Sequence, residues 1–219
     1  MKNVWITGAG TGLGRALAQV YARNDYKVFL SGRTAEYLQV TQNDIIKEGG
    51  KAEVLICDVT EQSSIREALK QMDTLDVLIN NAGLGHFGEL SSYTEENIDQ
   101  LLQTNVKGTI LTTQLAVPML ETTEGRVLNI ISTAGLRGKK NESIYCASKF
   151  AVRGFTESLH KEWEDSRMKA TAVYMGGMNT PFWNETDHVA NPDQLKGPEI
   201  VAEQIFKEDD GRSEIFIDR

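Results

Sequence analysis

A tyrosine and a lysine lie four residues apart in the stretch SIYCASKF, which runs from Ser143 to Phe150. Residues at this spacing share one face of an α-helix, so the side chains of Tyr145 and Lys149 would touch. A free tyrosine has a pKa of about 10 and is a poor base at neutral pH, but a nearby cation favours the phenolate. The pair is therefore either a proton donor held beside a cation or an ordinary surface pair, and other motifs must distinguish these alternatives.

A glycine-rich run, TGAGTGLG, follows a β-branched apolar segment and precedes a segment with helical spacing. The common dinucleotide pattern G-x-G-x-x-G is not met, but Gly8, Gly12 and Gly14 fit the spacing G-x-x-x-G-x-G. Glycines permit a tight turn from strand to helix and let backbone N–H groups approach a pyrophosphate at the helix N-terminus. The alternative is a flexible turn without a ligand, which the flanking strand and helix patterns disfavour.

The end of the second apolar run, FLSGRT, indicates which dinucleotide would bind. An acidic residue roughly 20 positions after the glycine run would accept the adenosine ribose hydroxyls of NAD(H). No acid is present here; Gly32 leaves room, and Arg33 supplies a planar cation suited to a phosphate. The pattern favours NADP(H) over NAD(H), with a solvated loop arginine as the alternative.

Two patterns alternate along the chain and would position these residues. Short apolar runs predict strands at residues 3–7, 27–31, 52–57, 76–80, 126–132, 169–175 and 214–218. Helical spacing predicts helices at residues 12–24, 34–48, 61–71, 94–120, 143–166 and 198–207. Apolar strands that alternate with helices indicate a parallel sheet covered on both faces, in one domain over residues 1–219. Ligands bind beyond the carboxyl ends of such strands, so the irregular segment 182–197 is expected to be a short substrate loop.

The composition disfavours several classes of function. Hydrophobic residues at 40% and charged residues at 25% are typical of a globular protein, and a net charge of −8 disfavours nucleic acid as a partner. The apolar run at the N-terminus is too short for a signal peptide or a membrane helix, so no membrane partner is expected. Two cysteines indicate a reducing, cytoplasmic setting, and three scattered histidines lack metal-type spacing, so no metal is expected.

Three motifs in order resemble the short-chain dehydrogenase/reductase family in its compact single-domain form. They are TGAGTGLG, NNAG at residues 80–83 and YCASK at residues 145–149. The resemblance covers nearly the whole chain. It implies a Rossmann-like, doubly wound α/β fold whose seven-stranded parallel sheet has the order 3-2-1-4-5-6-7, with helices on both faces. That order would place strands four and five beside the first strand, so that the motifs converge.

The resemblance implies four catalytic residues. Tyr145 would be the acid/base, and Lys149 would hold the nicotinamide ribose and lower the pKa of the tyrosine. Ser132, 13 residues before Tyr145, would bind the substrate oxygen, and Asn105 would hold a water beside the lysine in a proton relay. The chemistry agrees independently of the family, because hydride transfer to a carbonyl leaves an alkoxide that must be protonated and that a serine hydroxyl can stabilise.

The resemblance also implies a set of cofactor contacts. Asp58 and Val59 would contact the adenine, and Met178 and Thr180 would lie near the nicotinamide amide. The complete expected set is Gly8, Thr11, Gly12, Leu13, Gly14, Arg33, Asp58, Val59, Asn81, Ala82, Gly83, Tyr145, Lys149, Met178 and Thr180.

These expectations combine into an NADP(H)-dependent oxidoreductase that transfers a hydride between nicotinamide and a carbonyl or secondary alcohol. Candidate substrates resemble those of 3-oxoacyl-carrier reductases, sepiapterin reductases and general carbonyl reductases, among which the sequence does not choose. A non-catalytic NADP(H)-binding or redox-sensing protein on the same scaffold is the alternative, although binding alone would not require Ser132. A nucleotide-sugar epimerase is disfavoured because no substrate domain is present.

Other features bear on specificity and assembly. Met175 stands where the family usually has proline, and the short segment before the last helix predicts an open site with broad specificity, or one completed by a neighbouring subunit. The long predicted helices at 94–120 and 143–166 carry surplus apolar surface, which indicates a homodimer or homotetramer. Cys146 is expected to be a small buried filler, and His86 is left out of the catalytic set because it fits an ordinary loop histidine equally well.

Overall fold

Seven strands form one parallel sheet in the computed structural model, which describes residues 1–184 and 186–217. The strands are β1 (Lys2–Thr7), β2 (Tyr26–Gly32), β3 (Lys51–Ile56), β4 (Val77–Asn80), β5 (Arg126–Ile130), β6 (Lys169–Tyr174) and β7 (Glu214–Phe216). Their order across the sheet is β3-β2-β1-β4-β5-β6-β7, which confirms the predicted topology. The chain winds away from β1 in both directions, and ligands of such sheets bind at the carboxyl ends beside this switch point.

Helices cover both faces of the sheet. They are α1 (Gly12–Arg23), α2 (Ala35–Lys47), α3 (Gln62–Leu69), α4 (Glu95–Leu102), α5 (Thr109–Thr123), α6 (Ser143–Glu162) and α7 (Pro198–Glu208). Successive side chains of a strand point to opposite faces, which divides the core into two layers. Val4 and Ile6 of β1 pack with α1, α2 and α7, whereas Trp5 between them packs with α3, α5 and α6. None of the helices in the described part of the chain is long and apolar enough to cross a membrane.

The helix predicted over residues 94–120 is present and runs without a break from Glu95 to Thr123, but it contains a π-helical segment that the sequence did not predict. α4 ends at Leu102, a π-helical segment occupies Gln103–Gly108, and α5 then continues to Thr123. π-Helical turns are rare and often lie at functional sites, and this one contains Asn105. The sequence did not reveal this segment because residues with helical spacing continue on both sides of it.

Two predicted strands end earlier in the structure. β5 ends at Ile130 rather than at residue 132, because Ser132 has a φ of 94° and a ψ of 155°, outside the range of strand residues. β7 ends at Phe216, and its predicted last residue, Asp218, lies outside the described residues. The early end of β5 matters for the site, because it turns Ser132 out of the sheet.

Candidate active site

A cavity of about 1620 Å³ runs along the carboxyl ends of the strands, from the glycine-rich turn to the segment that follows β6. All the site residues predicted from the sequence line this cavity except Val59 and Asn105. The predicted residues that line it are Gly8, Thr11, Gly12, Leu13, Gly14, Arg33, Asp58, Asn81, Ala82, Gly83, Ser132, Tyr145, Lys149, Met178 and Thr180.

The glycine-rich turn brings the backbone after β1 close to the start of α1. Gly8 has a φ of 65°, a left-handed conformation that favours glycine. A Cβ on Gly14 would lie 2.8 Å from the Gly8 carbonyl carbon and 2.5 Å from Asn81 Nδ2, so the turn has room only for glycine. The N-cap residue Thr11 makes no side-chain capping bond, and the first turn of α1 has no acidic residue. The first N–H groups of α1 are therefore available to an anion.

Side chains from β1 and β4 hold the glycine turn beside the next strand. Thr7 Oγ1 accepts hydrogen bonds from the backbone N–H groups of Asn81 and Ala82, each at 3.0 Å. Asn81 Nδ2 donates to Thr7 O at 2.9 Å and to Gly8 O at 3.1 Å. Asn81 thus lines the cavity and also fixes the position of the turn relative to the end of β4.

Asn105 is buried beneath the cavity wall: the residue is 1% exposed and does not line the cavity. Its Oδ1 accepts from Leu84 N at 2.9 Å, and its Nδ2 donates to Leu84 O at 2.9 Å and to Ser148 Oγ at 3.1 Å. A Cβ on Gly83 would lie 3.3 Å from Asn105 Oδ1 and 3.8 Å from Lys149 Nζ, so these three residues meet at one point. The role of Asn105 in a proton relay remains a prediction.

Tyr145 and Lys149 lie one turn apart on α6, with Lys149 Nζ 5.6 Å from the centre of the Tyr145 ring. Burial raises the pKa of Tyr145, and the Ser132 hydroxyl acts in the opposite direction. Burial also lowers the pKa of Lys149 to about 8, and its Nζ donates to Ile130 O at 2.9 Å. The predicted lowering of the tyrosine pKa by Lys149 is therefore not seen in the chain alone, where burial has the largest effect on the pKa of Tyr145. Tyr145 is protonated at neutral pH, as a proton donor must be.

Ser132 has a backbone conformation that glycine adopts more readily than serine. Its φ of 94° and ψ of 155° fall in a region that costs a residue with a side chain about 1–3 kcal/mol, and such strain is concentrated at functional sites. Hydrogen bonds on either side impose it: Ile131 N donates to Val173 O at 2.8 Å, and Thr133 N donates to Met175 O at 2.9 Å. The Ser132 oxygen accepts from Ala134 N at 3.2 Å, which leaves the hydroxyl proton to donate elsewhere.

The opposite end of the cavity carries the groups expected to bind adenosine. Arg33 is exposed there and forms no ion pair with any residue among those described. Asp58 Oδ1 accepts from the backbone N and the Oγ1 of Thr60, at 2.9 and 2.8 Å. Val59 does not line the cavity; it packs against the π-helical segment, where a Cβ on Gly108 would lie 2.7 Å from Val59 Cγ2.

Aromatic rings and one carboxylate line the end of the cavity beyond Tyr145. The Phe87 ring meets Tyr145 edge-on at 5.4 Å between ring centres and stacks on His188 at 4.6 Å and on Trp183 at 5.4 Å. Glu142 Oε1 accepts from His188 Nε2 at 2.9 Å. Neither Phe87 nor Glu142 was identified from the sequence. Glu142 lies three residues before Tyr145, a helical spacing that could have indicated it, whereas Phe87 in a loop offers no such signal.

Cys146 and His86 lie near the predicted catalytic group, but their surroundings do not favour a catalytic role. Cys146 is 6% exposed, and burial raises the pKa of its thiol, which disfavours a thiolate nucleophile. His86 Nε2 lies 3.1 Å from Gln100 Oε1. In residues 1–184 and 186–217, no group of three or more His, Cys, Asp and Glu side chains is placed to hold a metal ion.

Several known proteins resemble this chain in sequence and in fold. The model of a family described as short chain dehydrogenase matches residues 2–190. A sepiapterin reductase of Chlorobaculum tepidum is 33% identical over 220 residues, which cover 92% of this chain and 90% of that protein. An uncharacterized oxidoreductase of Staphylococcus aureus is 35% identical over 209 residues, covering 92% of this chain and 87% of that protein. An alcohol dehydrogenase from the archaeon Thermococcus sibiricus, complexed with 5-hydroxy-NADP, has a TM-score of 0.88 and 27% identity over 99% of this chain and 96% of that one.

The family model spans most of the chain, and the relatives align with nearly all of it. The chain therefore belongs to the short chain dehydrogenase family of oxidoreductases.

Proposed function

We propose that the protein transfers a hydride between NADP(H) and a carbonyl compound or the corresponding secondary alcohol. The observation that carries the proposal is the convergence of Ser132, Tyr145 and Lys149 on one cavity whose far end is a glycine turn at a helix N-terminus. A non-catalytic binder would use the glycine turn. It would have no need of a partly buried, protonated tyrosine beside a serine held in a strained conformation.

The residues around the cavity fit a dinucleotide. The backbone at the glycine turn would bind the pyrophosphate, because the close approach at Gly14 leaves the N–H groups of α1 uncovered. A Cβ on Gly12 would lie 3.2 Å from Thr180 Cβ, so the segment after β6 reaches over this turn. Arg33 would pair with the 2′-phosphate that distinguishes NADP(H) from NAD(H), and Asp58 would face the adenine. The Thermococcus sibiricus relative is itself complexed with an NADP derivative.

The chemistry requires a proton as well as a hydride. Bound NADPH would supply the hydride to the carbonyl carbon. The Ser132 hydroxyl would donate a hydrogen bond to the carbonyl oxygen as negative charge develops there. Tyr145, protonated at neutral pH because burial raises its pKa, would transfer its proton to that oxygen and complete the alcohol. Lys149 would hold the ribose, and its charge would stabilise the phenolate that remains.

The substrate end of the cavity favours a flat or apolar carbonyl compound, because Phe87, Phe182 and Trp183 line it. Among the candidate classes, this lining accommodates substrates like those of sepiapterin reductases and general carbonyl reductases, and the Chlorobaculum tepidum relative is a sepiapterin reductase. The segment 182–197 is proposed to be the substrate loop; its residue Glu185 lies outside the described residues. Both cysteines are free thiols, which fits the proposed cytoplasmic setting.

We infer a homodimer or homotetramer in which α4, α5 and α6 lie between subunits. Leu102, Ile110 and Phe150 on these helices are 40%, 36% and 42% exposed. These residues are already about three-fifths buried, so complete burial of what remains would contribute about 0.6–1.2 kcal/mol each. Light scattering at micromolar concentration should show at least two chains per particle, and a particle of one chain would contradict the assembly.

The direct test is a screen of ketones and aldehydes with NADPH, followed by the loss of NADPH absorbance. Tyr145→Phe removes one oxygen and should lower kcat by about a hundredfold to ten-thousandfold on any substrate that the wild type accepts, while NADPH still binds. Full activity in this variant would exclude Tyr145 as the acid. Tight NADPH binding without turnover of any carbonyl would favour the non-catalytic alternative.

A further inference from the structure

A buried carboxylate at the substrate end of the cavity takes no part in the proposed reaction. Glu142 is the residue before α6, yet its side chain makes no capping hydrogen bond to that helix. It is 7% exposed, and it lines the cavity together with Tyr145. A charged group in such a position is costly unless it is paired, so its partners indicate what the cavity is built to bind.

The strongest partner of Glu142 comes from the segment after β6. His188 Nε2 lies 2.9 Å from Glu142 Oε1, and it must be the donor because a carboxylate only accepts. Lys139 Nζ lies 3.8 Å from Glu142 Oε2, too far for a hydrogen bond. Tyr93 and Cys146 are the other titratable groups that Glu142 influences besides Tyr145. One histidine N–H therefore satisfies the carboxylate directly.

The same imidazole lies flat on an aromatic ring. The rings of His188 and Phe87 are 4.6 Å apart at an angle of 13°, and the Phe87 ring lies 5.4 Å from that of Tyr145. A planar ring with an N–H group thus fills the space between the face of Phe87 and the carboxylate of Glu142. We call this space, defined by Phe87, Glu142 and His188, the ring slot. Tyr145, the proposed proton donor, lies beside it.

We propose that Glu142 is a specificity-determining residue, which selects carbonyl compounds whose flat ring carries an N–H donor, and that His188 occupies the ring slot until such a substrate replaces it. The inference rests on the proposed function and names its substrate class. The substrate ring would stack on Phe87, its N–H would donate to Glu142, and a carbonyl attached to the ring would face Tyr145 and Ser132.

The energetic reason is the cost of a buried carboxylate without a hydrogen bond. A substrate with an N–H group exchanges one hydrogen bond to Glu142 for another when it displaces His188. A substrate without this donor must leave Glu142 with only its ion pair to Lys139 at 3.8 Å, or leave the histidine in the slot. A hydrogen bond to a charged group, in a site built around it, should give the N–H compound a kcat/KM about tenfold or more above that of an equally reactive compound without the donor.

A pair of small ketones tests this hydrogen bond through the change in their kcat/KM ratio between the wild type and Glu142→Gln. In 3-acetylfuran an oxygen replaces the N–H of 3-acetylpyrrole, with little change in ring size; the weaker electrophilicity of the pyrrole ketone is the same in both enzymes. The wild type with NADPH should have the lower KM for 3-acetylpyrrole. Glu142→Gln keeps the shape but replaces a charged acceptor with a neutral one, and should reduce the kcat/KM ratio by about fivefold. Any effect of Glu142 on the pKa of Tyr145 cancels in this ratio, because both ketones use the same proton donor.

Two further variants separate substrate binding from a purely structural contact. Glu95→Gln removes the same charge from an exposed position on the rim of the cavity, and should keep the wild-type ratio. His188→Ala empties the ring slot and should lower the KM for 3-acetylpyrrole. If the contact between His188 and Glu142 only holds the segment after β6 in place, His188→Ala will instead lower kcat/KM for both ketones equally. That result would overturn the inference.

The outcomes also distinguish this inference from the proposed function. A kcat/KM ratio that Glu142→Gln leaves unchanged, or reduction of other carbonyls but neither of these, would overturn the selection by Glu142 and leave the reductase intact. Failure to reduce any carbonyl in the screen would refute the proposed function itself, and the inference with it.

Discussion

The substitution Gly14→Ala tests the close approach on which the dinucleotide site depends. Gly14 lies in the first turn of α1, against the backbone that leaves β1. An added methyl group would lie 2.5 Å from Asn81 Nδ2 and 2.8 Å from the Gly8 carbonyl carbon. Neither atom can move freely, because Asn81 Nδ2 already donates to Thr7 O and Gly8 O. The same substitution at Gly154, within α6, is the control within a single chain, since nothing lies within 4 Å of its added Cβ. Gly154 lies one helical turn from Phe150, on the face proposed to join subunits, so the two variants are compared only where light scattering shows the same number of chains per particle.

The two variants should change stability in opposite directions. Alanine in a helix interior is favoured over glycine by about 1 kcal/mol, and Gly154→Ala should gain about 0.5–1 kcal/mol of that. Overpacking of this kind costs about 1–3 kcal/mol, and disruption of the two Asn81 hydrogen bonds would add about 1 kcal/mol each. Gly14→Ala should therefore lose about 3 kcal/mol after its helix gain, which places the variants about 4 kcal/mol apart.

Urea unfolding at a fixed protein concentration measures this difference through the transition midpoints, provided that the slope m is unchanged. For a chain of this size, a difference of about 4 kcal/mol corresponds to about 8–16 °C in Tm. Gly14→Ala should also bind NADPH at least about tenfold more weakly, because the turn must open to admit the methyl group. If Gly14→Ala matches Gly154→Ala in stability and the wild type in NADPH binding, the described packing of the glycine turn is wrong.

Three other predictions concern the catalytic and cofactor groups. Ser132→Gly should be more stable than Ser132→Ala by about 1 kcal/mol or more, since both lack the hydroxyl and only alanine keeps the strain; equal urea midpoints would contradict the strained φ. Burial lowers the pKa of Lys149 to about 8, so the folded chain loses this proton before the unfolded one as pH rises. Wild-type stability relative to Lys149→Met should therefore increase between pH 8 and about 10.4, on the order of 2 kcal/mol, and a constant difference in urea midpoints would disprove the shift. NADPH should bind at least about tenfold more tightly than NADH, and Arg33→Ala should remove most of this preference in a fluorescence titration; equal affinities in the wild type would refute the assignment of Arg33.

Much of the fold was predictable because its signals are local. The seven apolar runs lie close to the seven strands, since a strand buried on both faces has to be apolar throughout. The order of the strands came from the family resemblance and was confirmed. The glycine turn, Tyr145 and Lys149 were identifiable because each motif occupies a few consecutive residues. Their convergence followed from the topology, which places β4 and β5 on one side of β1.

The sequence by itself indicated the strands and helices through their periodicity and the family through three short motifs, and the resemblance to that family implied the strand order and the predicted catalytic group. The tertiary structure alone decided the left-handed φ of Ser132, the π-helical turn at Asn105 and the raised pKa of Tyr145. It also decided that His188 satisfies Glu142, a residue 46 positions away. These features depend on burial and on contacts between segments that are distant in the chain. No local pattern of residues reports such contacts, because they exist only when the sheet and its helices are assembled.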